Sequence, residues 1–375
     1  MTKRVLFLMS DTGGGHRAAA HALSQGLHHL HGDQVSCEMV DLLVDYGGWP
    51  LNQVPRTYRP LVEDHLWLWR TLWWAGEQPT IWRLANRLVQ LTHRGRIAAF
   101  FSSHRADLVV SVHPLFNQLP RQGLRRFIPG IPFATVVTDL SSAHPVWYDP
   151  DVDLLCASCP EVQRAAISAG VPRDKVHLMG LPVGLEFLEP SGDAKKARRV
   201  LGLDHRPTVL LLGGGEGMGK MADTARALSM SLAEREGQLA IICGRNASLR
   251  RHLTGCSWPG TVTVHGFVDN MATWMMAADC LVTKAGPGSI AEALVSGLPM
   301  VLSDFIPGQE TGNVDFVVEN GVGVFSRDPR EIGETVSRWL TPGNSSLATM
   351  RQRAQALARP RASLDIASAL SELMF

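Results

Sequence analysis

The stretch VLFLMSDTGGGHRAAA, Val5 to Ala20, decides how the rest of the chain is read. It opens on five apolar residues and closes on an alanine-rich segment of good helix propensity. Three glycines and a histidine lie between. A buried strand that runs through a glycine turn into a helix suits phosphate binding, because a helix N-terminus presents unpaired N–H groups and a partial positive charge. Neither nucleotide fingerprint fits, however. No Lys-Ser/Thr pair follows the glycines, which excludes a P-loop, and GGGH is not G-x-G-x-x-G. On local pattern the loop reads equally as a tight turn with a surface histidine, His16, or as a backbone thinned for the approach of a ligand.

Working outward, the pattern is strand–helix alternation throughout, which predicts an α/β fold with parallel sheets. Apolar strand candidates are Val5–Met9, Gln34–Val40, Leu108–Ser111, Phe133–Val137, Leu154–Ala157 and Val176–Met179. A second set comprises Val209–Leu212, Leu239–Cys243, Thr261–His265, Cys280–Thr283 and Met300–Ser303. A polar stretch with a basic run, residues 189–207, separates them and reads as the linker and the entry to the second domain. The expected organisation is an N-terminal domain over 1–188, a C-terminal domain over 208–355, and a helix over 356–375 that packs back on the first domain. At 375 residues the chain is too long for one ordinary core. Each half opens with a strand followed by three glycines, at Gly13–His16 and Gly213–Gly219. Ligands of such sheets bind at the carboxyl ends of the strands, where both loops belong.

Composition narrows the function classes. The chain is 45% hydrophobic and 19% charged with a net charge of +1, so the whole molecule is no electrostatic binder of nucleic acid. No apolar run reaches the ~18 residues of a spanning helix, and the apolar stretch at the start is too short for a signal peptide. The six cysteines sit mostly in strand-like surroundings, as in reduced, cytosolic proteins. Cys156 and Cys159 form a lone CxxC, better read as core packing than as zinc ligands.

The C-terminal half holds the most specific stretch, TKAGPGSIAEALVSGLP, Thr283 to Pro299. A strand ends at Thr283, Gly286 to Gly288 form a turn, and Ser289 begins a helix that contains Glu292. Free N–H groups and a hydroxyl then converge on one point, as a diphosphate requires. Glu292, one turn into the helix, is placed either to accept both hydroxyls of a ribose or to face solvent. FIPGQETGNV, Phe305 to Val314, adds Gln309, Glu310 and Asn313, a polar group of the kind that hydrogen-bonds sugar hydroxyls.

These motifs, with CGRN (Cys243–Asn246) and HGFVDNM (His265–Met271), occur in an order that resembles the donor-binding half of GT-B glycosyltransferases of the monogalactosyldiacylglycerol synthase type. WPLNQVPRTY (Trp49–Tyr58), SVHPL (Ser111–Leu115) and TDLSSAHPVW (Thr138–Trp147) extend the resemblance over nearly the whole chain. It implies a GT-B fold, two Rossmann-like domains with a deep interdomain cleft, and an inverting transfer of galactose from UDP-galactose to the sn-3 hydroxyl of 1,2-diacylglycerol. A UDP-glucose-dependent transferase is the near alternative. In the implied site, uracil meets Phe267 and Val268, Glu292 takes the ribose, and Gly215, Gly217, Gly286, Gly288 and Ser289 take the diphosphate with Arg245 nearby. Gln309 and Glu310 hold the hexose, supported by Asn313. No Asp-x-Asp pair stands in these loops, so no metal and no other cofactor is expected, and helix dipole and hydrogen bonds stabilise the leaving diphosphate.

The resemblance also gives the first loop a purpose. Gly14 and Gly15 bring the backbone close to the acceptor, and His16 is the general base for its hydroxyl. Asp139 is expected either to orient His16, to act as a second base, or to cap a turn. Pro50, His144 and Trp147 fall on the acceptor and membrane side. Six of the ten tryptophans lie between Trp49 and Trp82, within a segment, residues 49–105, rich in arginine. Taken as one helix, Val62 to Trp74 puts Val62, Leu66, Trp69 and Trp73 on a core stripe and Trp67, Arg70 and Trp74 on another face. That face suits either an anionic membrane surface or a buried subdomain. The expected setting is peripheral, on the cytoplasmic face of a membrane, with a homodimer left open. The rival readings are a UDP-sugar 2-epimerase, which shares the fold and needs no membrane, and a binding module that has lost catalysis.

Overall fold

The computed structural model describes residues 2–12, 14–188, 193–213 and 220–375. The chain divides into two compact units. Unit 1 comprises Met1–Leu185, Pro307–Gln309 and Arg361–Phe375; unit 2 comprises Glu186–Ile306 and Glu310–Pro360.

Unit 1 is built on β1 (Lys3–Met9), β2 (Val35–Asp41), β3 (Leu108–Ser111), β4 (Phe133–Val136), β5 (Leu154–Ala157) and β6 (Val176–Leu178). All are parallel, in the order β2-β1-β3-β4-β5-β6. Their near-continuous apolar runs follow from burial on both faces. Alternate residues serve opposite cores. Leu6 and Leu8 pack with Phe100, Phe101, Phe133 and Trp147. Val5, Phe7 and Met9 pack with Leu23 and Leu27 of the helix Gly15–His31 and with Ile366 and Leu370 of the helix Ala362–Glu372. The two helices meet tightly at Gly26, where a Cβ would stand 2.9 Å from the Ser363 carbonyl oxygen.

Unit 2 repeats the architecture with β7 (Thr208–Leu212), β8 (Gln238–Ile242), β9 (Thr261–His265), β10 (Cys280–Lys284), β11 (Met300–Asp304) and β12 (Gly323–Phe325), in the order β12-β11-β10-β7-β8-β9 and again parallel. In both units the first strand lies inside the sheet and the chain reverses direction beside it, between β1 and β3 and between β7 and β10. Such a reversal opens a crevice at the carboxyl ends of the strands.

Within the stretch 189–207, Asp193 caps a helix, Ala194–Val200, that belongs to unit 2. Its buried Arg198 donates to the Ala277 carbonyl and to Asp279, both at 2.8 Å. Val62 to Trp74 is two helices, Val54–Glu63 and Leu66–Glu77. The break follows two acids, Glu63 and Asp64, at a helix C-terminus, where the macrodipole disfavours negative charge. The three-residue β12 had no apolar run long enough to announce it.

Candidate active site

In unit 1 the elements that matter converge at the carboxyl ends of β1, β3 and β4. The loop after β1 is tied down by Asp41, whose Oδ2 accepts from Ser10 Oγ at 3.1 Å and from the Asp11 backbone at 3.0 Å. Gly14 then adopts φ 80°, the left-handed region that favours glycine, and starts the helix Gly15–His31. A Cβ on Gly14 or Gly15 would meet nothing within 4 Å, so conformation and open space, not crowding, explain these glycines.

The helix carries His16 into a buried position. Its Nδ1 lies 2.8 Å from the Val112 carbonyl oxygen and 2.9 Å from Thr138 Oγ1. A carbonyl only accepts, so Nδ1 bears the proton and Nε2 keeps its lone pair. Burial lowers the His16 pKa to about 4, offset in part by the Val112 hydrogen bond and by Asp11. The result is a neutral imidazole with its basic nitrogen defined, as a general base needs.

The groups that hold Nδ1 are thus Val112 and Thr138, not Asp139. Asp139 is buried, and its Oδ2 accepts from Trp147 Nε1 at 2.6 Å. Trp147 is fully buried in the core and cannot face lipid. His144 is likewise enclosed: its Nδ1 accepts from the Val146 backbone, its Nε2 donates to the Trp73 carbonyl at 3.2 Å, and Trp73 packs edge-on against its ring. Both were expected on the acceptor side; His144 instead seats the tryptophan-bearing helix through Trp73, and Trp147 fills the core beside Leu6, Leu8 and Phe133.

That helix does present the expected outer face. Trp67 is 70% and Trp74 56% exposed, and Arg70 is exposed between them, while Trp69 and Trp73 are half-buried. Pro50 is exposed beside the exposed Trp49. The sequence reading missed the next helix, Pro79–Ser103. Ile81, Leu84, Leu88 and Leu91 are all exposed, the last three by 71%, 61% and 74%. Their 3-4-3 spacing puts them within about 80° of arc at about 100° per residue. Residues 78–106 contain no Asp or Glu but five arginines. The spacing and the missing acids were both visible in the sequence, behind the tryptophans.

In unit 2 the carboxyl-end loops carry the other candidates. Gly215 and Gly217 lie outside the described residues. Gly286 precedes the helix Pro287–Val295, whose N-terminus has no side-chain cap and no acid in its first turn. Among the described residues a Cβ on Gly288 would meet nothing within 4 Å, and Ser289 is half-buried, which leaves room for an anion at this helix start. Lys284, another residue the sequence reading passed over, flanks it. Its Nζ would be 3.6 Å from a Cβ on Gly286. Half-buried Glu292 has a desolvated carboxyl, which together with the nearby Glu186 carboxylate raises its pKa to about 8. After β8 and β9 the Arg245 guanidinium lies 5.4 Å over the ring of exposed Phe267, with Val268 half-buried beside it, a flat surface suited to a base.

Glu310 departs from expectation. It is buried, with Oε1 on Lys284 Nζ at 2.5 Å and Oε2 on the Ile306 backbone N–H at 2.9 Å, so it holds the lysine and the loop rather than a sugar hydroxyl. Gln309, which packs in unit 1, accepts from Tyr58 OH at 2.7 Å through Oε1 and from Ser142 Oγ through its carbonyl. Asn313 donates to the Ala285 carbonyl, and its Oδ1, like Thr283 Oγ1 and His265 Nε2, is buried without a partner among the described residues. Orphaned polar atoms of this kind mark places that water or a ligand completes. Among the described residues, the cysteines of the CxxC are free thiols in the core, pushed up to about 12 (Cys156) and about 11 (Cys159) chiefly by burial.

Two doubly wound parallel units, one with a buried histidine after its glycine loop and one with an uncapped helix start flanked by a lysine, make this a GT-B glycosyltransferase. Solved GT-B structures share the fold. Acinetobacter baumannii MurG superposes with a TM-score of 0.61 at 15% identity over 99% of both chains, and Anabaena HepE in complex with UDP-glucose with 0.57 at 18% over 98% of both. Within that class the chain belongs to the monogalactosyldiacylglycerol (MGDG) synthase family. Residues 16–183 match that family and residues 208–363 match the glycosyltransferase family 28 C-terminal domain. It is 42% identical to monogalactosyldiacylglycerol synthase 1, chloroplastic, of Arabidopsis thaliana over 99% of this chain and 71% of the plant protein. Against the probable synthase 2 of Oryza sativa subsp. japonica the identity is 41% over 99% and 81%.

Proposed function

We propose that this chain is an inverting galactosyltransferase that moves galactose from UDP-galactose to the sn-3 hydroxyl of diacylglycerol, without a resident metal. The observation that carries the mechanism is His16, buried and neutral, with its proton held on Nδ1 and its basic lone pair therefore on Nε2. As the acceptor oxygen bonds to C1, its proton passes to Nε2. The electron pair of the breaking C1–O bond goes to the UDP. Unit 2 supplies the stabilisation of that charge: the open helix start at Gly286–Ser289 and the Lys284 ammonium. Arg245 and Phe267 take the base, and Glu292 the ribose. The neutral inversion product is a β-galactoside.

Diacylglycerol lies in a bilayer, and no helix among the described residues is long and apolar enough to cross one. The exposed Trp67, Trp74 and leucine ladder, with their arginines, support peripheral docking on an anionic surface. The test is to supply UDP-galactose or UDP-glucose and vesicles containing diacylglycerol, with and without EDTA. Transfer predicts β-glycolipid and released UDP, faster with UDP-galactose and unaffected by EDTA. Conversion of free UDP-sugar without lipid would mean an epimerase, and loss of activity in EDTA restored by magnesium would end the metal-free scheme.

A further inference from the structure

A second buried imidazole stands beside His16, and the reaction as proposed does not use it. His113 follows β3 and packs with its ring centroid 4.4 Å from that of His16, stacked on Phe116 at 4.6 Å. Its Nδ1 accepts from the Leu115 backbone N–H at 3.2 Å. That nitrogen is therefore bare. Burial and the neighbouring His16 hold the ring's pKa well below the ordinary range, so the ring is neutral and its one proton sits on Nε2. Nε2 lies 3.1 Å from Thr12 Oγ1, the last described residue before the glycines. The N–H must donate and the threonine hydroxyl must accept. Thr12 is thereby fixed in rotation, with its own proton aimed away from His113. The turn carrying His113 is itself clamped: Ser111 Oγ donates to the His113 carbonyl at 3.0 Å, and Asn117 donates to the Pro114 carbonyl at 2.9 Å while accepting from Thr135 at 2.9 Å.

We propose that His113 is a positioning residue for glycosyl transfer: through Nε2–H it pins Thr12 and so sets the path of the glycine loop that delivers His16. The assignment rests on the transferase reading of the site. A mere packing role would be filled by any aromatic ring of similar size, whereas positioning through Nε2–H needs a donor at that point. The two are separated by His113→Phe, which keeps the stack on Phe116 and loses the donor, and His113→Gln, which places an amide N–H near the Nε2 position. Thr12→Val removes the other partner from a half-buried loop site and keeps the test open if a His113 variant misfolds.

The measurements are kcat and KM for UDP-galactose with diacylglycerol vesicles, UDP affinity by calorimetry, and the melting temperature. His113→Phe and Thr12→Val are each expected to lower kcat about tenfold or more while UDP affinity holds, and the double variant to be no worse than the poorer single one. His113→Gln should recover most of the lost kcat. A folded His113→Phe or Thr12→Val with wild-type kcat would overturn the proposal, as would a Gln variant no better than Phe, or losses that multiply in the double variant. If the wild-type protein transfers no hexose at all, the transferase reading fails; if it does and the variants match it, only the role of His113 fails.

Discussion

His16 and Glu292 have pKa values displaced in opposite directions by the same cause, loss of water. For His16 the neutral form is favoured, so the base stays competent as pH falls below the ordinary ~6.5 of imidazole. The acid limb of kcat, read at saturating UDP-galactose so that donor affinity does not enter, is expected near pH 4 to 5 and not near 6.5. His16→Ala should cost about 10²–10⁴ in kcat at unchanged UDP affinity; wild-type turnover would remove it as the base. Between pH 6.5 and about 4 the unfolded chain takes up a proton that folded His16 refuses, so this residue lowers stability as pH falls through that window. Glu292 works the other way. Between its ordinary 4.5 and about 8 the folded protein keeps a proton the unfolded chain has lost, so its contribution to stability falls as pH rises there. Ribose hydroxyls donate best to the carboxylate, so UDP affinity should strengthen from pH 6 to 9, and Glu292→Gln should flatten that rise in calorimetry. A persistent rise in the variant would exclude Glu292 as the titrating group. His16 itself stood out in the sequence because the glycines point at it. Its partners did not, since Val112 and Thr138 are 96 and 122 residues away and only the β1-β3-β4 order brings them together.

At the scale of elements, the helix Pro79–Ser103 combines an uncovered row of leucines with a backbone free of acids. In water such a row is a liability; against lipid it is an anchor, at about 0.8 kcal/mol per buried CH₂ group, with about 1 kcal/mol for each arginine near an anionic surface. Changing Leu84, Leu88 and Leu91 to Ser should weaken binding to phosphatidylglycerol-containing vesicles by tenfold or more in flotation, raise the salt sensitivity of what remains, and leave the melting temperature and UDP affinity alone. Unchanged flotation would free the ladder for another occupant, such as a second copy of the chain. The strands were legible because parallel strands buried on both faces must be apolar at every position. The helices of residues 54–103 were not, since a segment apolar on more than one side gives no single stripe from which to read its breaks. The roles assigned to Glu310, His144 and Trp147 failed for a related reason: a motif fixes which residue is present, while burial decides whether it meets the substrate or its own neighbours.

At the scale of the whole molecule, the two units share one architecture, a six-stranded parallel sheet that reverses beside its first strand, yet the chain does not visit them in turn. Residues 361–375 return to unit 1 after all of unit 2, and Ile366, Ala367, Leu370 and Met374 sit in the same core as Val5, Phe7 and Met9. On the ribosome, therefore, the unit begun first is finished second. Its core stays open, with β1 and the helix behind His16 lacking a cover, while unit 2 emerges entire and closes. Domains usually fold in the order of their synthesis, and here that order is inverted. Stalled nascent chains exposed through residue 360 should show unit 2 resistant to protease and unit 1 still digestible, with protection of unit 1 appearing only once residues 361–375 have left the tunnel. Unit 1 equally protected at residue 360 would mean that its core closes without that helix. During that interval the apolar ladder and the unfinished core are exposed together, which makes the delay before residues 361–375 dock a determinant of how much protein escapes aggregation.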